Sequence, residues 1–425
     1  MIKVLIKGPA LSRSGYGEHT RYMFRALSTR PDLFDLYVEP TNWGQSSWNL
    51  DSSEETKQIE SCIEKLAHFQ GRFDVSLQVL IPNEWQNLAE KNIGVTAAIE
   101  TTHASAQWIH HSNFMDKILV TSEHAKNSLK NPTHQVTAED GSQHIIKLQK
   151  PISVVSYPFR DIVEDTSSFD KIKLDTKFNF LTCAQVGPRK NLMNTIRWFV
   201  EEFKDEEDMG LVVKAHQMNN SVIDRNKVRM LLSQAVHGVP HRKCRVFLVH
   251  GNMTDEEMNS LYKHPNIHAY ATITHGEGFG LPIFEAACSG MPVVAPAWSG
   301  QVDFLYDEIK NKTSGRVKRT PMFTKVKYKL DNVPKEAVWE NVIEADSKWC
   351  YPDEAAYKKA LRGTVEAYKS RKSTAKKLQK SLKERLDQNK MFEKVVEEVL
   401  EVYPKDVAEL EDFLDGLASE IQVHD

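Results

Sequence analysis

The chain has 425 residues, 40% of them hydrophobic and 27% charged, with a net charge of −3. That length exceeds what one hydrophobic core fills, so two domains are expected, and the composition excludes a disordered, collagen-like or disulfide-scaffold protein. No apolar run reaches the roughly 18 residues of a membrane span, and five scattered cysteines without a Cys-x-x-Cys pair fit a reducing cytoplasm.

The N-terminal MIKVLIKG reads as an opening β-strand, its apolar part being too short for a signal peptide. Short β-rich runs (VLIKG, FDLYVE, FDVSLQV, VTAAIET, KILVTS) alternate with helical stretches through the first half. NFLTCAQ, GLVVKAH, RVFLVHG, IHAYATI and MPVVAPA repeat the plan in the second. Strands separated by helices imply βαβ units and parallel sheets covered on both faces. Between the two sets, VSYPFRDIVEDTSSFDKIKLDTKF is polar and strandless, a linker centred near Asp165. The expected fold class is α/β, with two Rossmann-like domains, 1–165 and 166–365, facing a cleft. Ligands in such folds bind at the C-terminal ends of the strands. Helices of about 366–425 are expected to pack back onto the first domain.

Charge is uneven toward the C-terminus. From Lys310 to Arg385 there are 21 Lys/Arg against 9 Asp/Glu; from Leu386 to Asp425 there are 3 against 12. A solvated basic helix followed by an acidic one accounts for this. So does a surface for phosphates, nucleic acid or anionic lipid that the tail holds in check.

Three loops carry candidate chemistry. After the first strand, Gly15-Tyr16-Gly17 opens a helix, where glycines let backbone amides approach an anion. A dinucleotide fingerprint fails, because Thr20 stands where the third glycine is wanted. The turn serves equally as a tight bend or as a phosphate or acceptor loop. After NFLTCAQ, Arg189 and Lys190 stand before a helix, a planar fork and a point charge suited to a diphosphate. After IHAYATI comes HGEGFGLPIFEAACSG, with Pro282 at the first helical position. Gly278 and Gly280 free the backbone so that the amides of Phe279, Gly280 and Leu281 can turn toward a ligand. Glu277 lies in that loop and Glu285 one turn into the helix, both expected to face one cleft. A carboxylate accepts from two neighbouring hydroxyls, so each suits a sugar diol. A nucleotide-sugar laid across the loop fits this spacing.

The segment TDEEMNSLYKHPNIHAYATITHGEGFGLPIFEAACSGMPVVAPAWSG resembles the nucleotide-sugar half of retaining, family-4 glycosyltransferases of GT-B fold. So do GPRKN, SGYGEHTRYMFRAL, KILVTSEHAKNSL and SKWCYPDEAAYKKALR. The resemblance implies that Glu277 contacts the transferred sugar, Glu285 the ribose hydroxyls, and Arg189 and Lys190 the diphosphate. The family's further arginine is replaced by Ala184 or Gln185. His103 in VTAAIETTHAS falls where the family commonly has a histidine beside the donor sugar, though a structural histidine also fits a strand end. No Asp-x-Asp triplet occurs, and the family works without a metal or other cofactor. The donor implied is a UDP- or GDP-sugar. Two other functions stay open: a non-catalytic nucleotide-sugar binder, which would be expected to lack Glu277 or the Arg-Lys pair, and a dehydrogenase, which the broken glycine fingerprint disfavours.

The expected acceptor is a glycan or other small hydroxyl compound. Trp43 and Trp48 in TNWGQSSWNL are candidates to stack on it, or core residues. The basic segment 310–385, with Phe323 and Tyr328 among its cations, makes nucleic acid an alternative. Modified bases in DNA are glycosylated by some phage-encoded enzymes of related architecture.

Overall fold

The computed structural model describes residues 1–404 except 50, 138–140, 166, 168–170 and 311–314. Most of the acidic tail, 405–425, lies outside the described residues.

The first sheet consists of β1 (Ile2–Gly8), β2 (Phe34–Pro40), β3 (Phe73–Val79), β4 (Ala89–Thr96), β5 (Lys117–Val120) and β6 (Ile152–Val154). All are parallel, in the order β2-β1-β3-β4-β5-β6. Val4, Ile6, Val75, Leu77, Ile93 and Val95 are fully buried, as both faces are covered by helices. Those helices are α1 (Gly15–Ser28), α2 (Glu54–Ala67), α3 (Ala106–Ser112) and α4 (Glu123–Lys130). Each starts after a serine whose side chain accepts from a first-turn amide: Ser14, Ser53, Ser105 and Ser122.

The second sheet holds β7 (Phe178–Gln185), β8 (Met209–His216), β9 (Arg245–Val249), β10 (Ala269–Ala271), β11 (Val293–Pro296) and β12 (Thr324–Val326). Their order is β9-β8-β7-β10-β11-β12, again all parallel. Helices α5 (Leu192–Glu202), α6 (Val222–His237), α7 (Asp255–Lys263), α8 (Leu281–Cys288) and the single turn α9 (Val302–Leu305) complete this lobe. In each sheet the direction of strand addition reverses once, between β1 and β3 and between β7 and β10. At such a reversal the flanking loops diverge and leave a crevice.

The C-terminal helices tie the lobes together. Arg362 and Lys358 of α10 (Glu354–Glu366) reach Glu202 and Glu201 of α5. From α11 (Tyr368–Arg385), Gln379 donates to the Cys288 carbonyl of α8 at 2.7 Å. The chain then crosses over, and α12 (Gln388–Val402) lies on the first lobe. There the Tyr22 hydroxyl donates to the Met391 carbonyl, and buried Lys117 pairs with Glu398 and Glu401, each at 2.5 Å. One apolar cluster runs from Tyr22 and Tyr157 through Phe279 and Phe284 to Leu382 and Val395, so burial itself holds the lobes together.

Two local expectations are corrected. A strand expected over VTAAIET in fact ends at Thr96, and Ala98 turns the chain with φ 53°. The strand's polar front half, AEKN, conceals it. Asn92 is buried, its Oδ1 accepting from Ser76, Leu88 and Ala89, so a polar side chain does the work of core packing. Phe323 is buried too, its ring against Tyr306 at 5.5 Å, and is not an aromatic displayed among cations.

Candidate functional site

The loops leaving β7 and β10 meet at the reversal point of the second sheet. Pro188–Lys190 form one 3-10 turn, stopped by Asn191 in the left-handed region (φ 49°). The Asn191 side chain donates to the Ile273 carbonyl, and the His275 amide donates to the Arg189 carbonyl at 2.8 Å. These cross-ties fix the basic turn against the glycine loop. Arg189 and Lys190 therefore stand one turn ahead of α5 rather than on it.

Their side chains converge on Glu277. Lys190 Nζ lies 2.7 Å from both carboxylate oxygens, and Arg189 Nη1 lies 3.0 Å from Oε2 and 2.7 Å from the Gly276 carbonyl. Arg189 Nη2 reaches a residue of the first lobe, Glu100, at 3.1 Å. Glu277 is buried, which works against ionisation, but Lys190 and then Arg189 outweigh that and hold its carboxyl at about 2. Two cations and two carboxylates make the cluster neutral as a whole.

Beside it, α8 begins without partners for its first amides. Gly280, at φ 97°, turns the chain into the helix, and Pro282 has no N–H to satisfy. Among the described residues, the amides of Gly278, Phe279, Gly280 and Leu281 donate no hydrogen bond. Gly278, Phe279 and Gly280 are nevertheless buried. Buried unpaired donors cost about 1–3 kcal/mol each, which an anion at the helix N-terminus would offset.

The glycines have a second reason to be glycine. A Cβ on Gly278 would lie 2.5 Å from the Ala97 carbonyl oxygen, and one on Gly276 would lie 2.2 Å from that of Glu100. Ser122 also donates to the Gly278 carbonyl at 2.6 Å. The loop after β4 thus rests directly on the loop after β10, closing the lobes over this edge.

Glu285 occupies different surroundings. It lines a cavity of about 200 Å³ between the lobes, with Glu18, Tyr157 and Arg160 on one side and Asp255, Tyr262 and Phe284 on the other. Burial raises its carboxyl to about 7, with Asp255 and Glu18 adding to the effect against Tyr262. Phe279 packs between the two regions, 5.0 Å from Tyr157 and 5.1 Å from Phe284. Leu281 lines the same cavity.

In the first lobe, Gly17 is required by packing, since a Cβ there would lie 2.0 Å from the Ser12 carbonyl oxygen. Gly15 faces open space, and its carbonyl accepts from Tyr157. Trp43 stacks on Tyr16 at 4.1 Å, whereas Trp48 is exposed. His103 Nε2 lies 3.1 Å from Asp346 of the other lobe and makes no hydrogen bond or ion pair to the Glu277 cluster. Glu100 escaped the sequence reading, although it lies three residues before His103 in the same post-strand run. An acidic residue just past a strand end was the available signal.

Residues 271–395 match the model of a family described as Family 4 Glycosyltransferase in conflict systems. Over that segment, in the second lobe and the helices after it, the chain resembles family-4 glycosyltransferases. Sucrose-phosphate synthase from Thermosynechococcus elongatus superposes with a TM-score of 0.60 at 13% identity, covering 95% of this chain and 99% of that one. HepE of Anabaena, in complex with UDP and glucose, gives 0.57 at 11% identity over 94% and 99%. A glycosyltransferase of Rickettsia africae gives 0.53 at 13% over 95% and 99%. At these identities the structures establish the shared GT-B fold. No curated protein matches this chain by sequence. Among its described residues no helix is long and apolar enough to cross a membrane, and no three His, Cys, Asp or Glu side chains are grouped to hold a metal ion.

Proposed function

We propose that the protein transfers a sugar from a nucleoside-diphosphate sugar, UDP- or GDP-linked, to a hydroxyl acceptor with retention and without a metal ion. The observation that carries this is the set of unpaired amides from Gly278 to Leu281 beside Arg189, Lys190 and Glu277. A diphosphate would take these amides and the two cations, Glu277 would hold the sugar and Glu285 the ribose. The family's description supports the reaction class, and the HepE structure carries UDP and glucose on the same fold.

In this reading the anomeric C–O bond to the diphosphate breaks heterolytically, and its electron pair passes to the departing phosphate oxygen. The amides, Arg189 and Lys190 stabilise that charge. The acceptor oxygen attacks the oxocarbenium-like carbon from the same face, and its proton goes to the leaving phosphate. Gly15, with open space beside it, and Gly17, packed against the Ser12 carbonyl, form the turn on the donor side. His103 would have to leave Asp346 to reach the donor sugar.

The test is a donor-hydrolysis and thermal-shift screen over UDP-, GDP- and ADP-sugars. Arg189→Ala and Lys190→Ala are each expected to lower kcat about 10²–10³-fold, the loss seen when one oxyanion donor is removed. Unchanged turnover in both, or a product of inverted anomeric configuration, defeats the mechanism. A protein that binds donor but never hydrolyses or transfers it is a non-catalytic binder. For the acceptor we favour a glycan or small hydroxyl compound at the Trp43–Tyr16 side. Transfer to a base in DNA is the second reading, favoured by the exposed cations Lys369, Arg371, Lys376, Lys377, Lys380 and Lys383 along α11. Duplex binding that weakens steeply with salt selects it.

A further inference from the structure

We propose that Lys214 and Arg13, one from each lobe, form a second phosphate seat over the loop 251–253 at the rim of the donor site; this rests on the donor-binding reading above. Lys214, two residues before the end of β8, is in register with Cys183 of β7. Its Nζ donates to the Gly251 carbonyl at 2.7 Å. Arg13, in the loop after β1, donates from Nη1 to the Met253 carbonyl at 2.8 Å, and its backbone amide donates to the Ser47 carbonyl. Two cations from opposite lobes therefore rest on the carbonyls of one short loop.

Neither is in an ion pair among the described residues, and Arg13 Nε is buried without a hydrogen-bond partner. Asp255, two residues past Met253, is held by Arg160 at 2.7 Å, and Asp224, which reaches this loop through His250, is also occupied. Asp224 accepts from the amides of Gln217, Met218 and Asn220, and His250 lies 3.3 Å away. A Cβ built on Gly251 or on Gly15 would meet nothing within 4 Å, so space is open beside the pair. Burial, reinforced by Arg13, pulls the Lys214 ammonium below its ordinary range.

The contrast with the first cluster gives the seat its purpose. Arg189 and Lys190 are matched by Glu277 and Glu100, so that cluster offers hydrogen bonds but no net charge. Lys214 and Arg13 have no such match, so the uncompensated positive charge lies with them. A phosphate there relieves the repulsion between the two cations and draws the lobes together. Lysine supplies a point charge and arginine a fork, a pairing suited to one tetrahedral anion. The phosphate belongs either to the donor's diphosphate or to a phosphorylated acceptor.

Calorimetric titration of the full chain separates these. Inorganic pyrophosphate is titrated first, and inorganic phosphate is then added to pyrophosphate-saturated protein. Lys214→Met and Arg13→Gln are each expected to weaken binding about tenfold or more, the loss of one charge-assisted hydrogen bond. Lys214→Arg should recover most of it, and melting curves should confirm that each variant folds. A loss in the first titration assigns the seat to the donor, and a loss confined to the second assigns it to an acceptor phosphate. If neither variant changes either titration while Arg189→Ala abolishes pyrophosphate binding, the second seat is wrong and the donor site stands. Wild-type protein that ignores pyrophosphate removes the donor site, and the second seat with it.

Discussion

Glu277→Gln tests whether the charge balance at the junction of the two loops is real. The wild-type carboxyl is held at about 2 against an ordinary 4.5. That gap corresponds to about 3 kcal/mol of differential stabilisation of the charged form. The substitution keeps the shape but leaves Arg189 and Lys190 sharing one carboxylate, Glu100, in a buried place. At pH 7 the melting temperature should fall by about 6–12 °C, taking about 2–4 °C per kcal/mol for a lobe of this size. The pH dependence has a definite sign. A carboxyl whose folded value is depressed stabilises the fold above its unfolded value, and that contribution fades as pH falls from about 4.5 toward 2. The wild-type advantage should therefore shrink across that window. Anion binding should move the other way, because the cluster passes from neutral to singly positive. Pyrophosphate should bind the variant more tightly in calorimetry even as sugar transfer is lost. An unchanged melting temperature at pH 7, or weaker pyrophosphate binding, refutes the charge-balance argument.

Glu285 should behave oppositely. Its folded value near 7 lies above its unfolded value, so ionisation costs stability as pH rises from about 4.5 to 7. Glu285→Gln should raise the melting temperature more at pH 8 than at pH 5, and an equal shift at both would contradict the buried-carboxyl account. Gly276→Ala places a methyl 2.2 Å from the Glu100 carbonyl oxygen and should prise the lobes apart. Small-angle scattering should show a larger radius of gyration and donor hydrolysis should drop; an unaltered profile would mean that the loops yield locally. Lys117→Met strands Glu398 against the first lobe and should cost about 3–5 kcal/mol. Limited proteolysis should then release α12 first, and a variant as resistant as wild type would show that the ion pair does not hold the crossover.

Much of the plan was legible because it is written in local periodicity. Alternating apolar strands and amphipathic helices predict two parallel sheets whatever the lobes do to each other. Arg189, Lys190 and Glu277 could be read because each follows a strand end by a few residues, and in a parallel sheet all strand ends face one side. AEKN was not legible as strand, since Asn92 satisfies its hydrogen bonds only inside the fold. The destination of Glu285 was also hidden. Its helix position can be counted, but the cavity it lines is half made by the first lobe.

What the chain alone determined is therefore the two-sheet architecture, the basic turn and the glycine-proline helix start. All of these depend on contacts between near neighbours in sequence. Only the tertiary structure decided that Glu100 neutralises Arg189, that Gly276 and Gly278 are pressed by the carbonyls of Glu100 and Ala97, and that Lys214 and Arg13 rest on carbonyls of one loop. Those partners lie far apart along the chain and come together through closure of the lobes. Closure is driven by burial of the shared apolar cluster around Tyr157 and Phe279, a non-directional force that leaves no periodic trace in the residues it brings together.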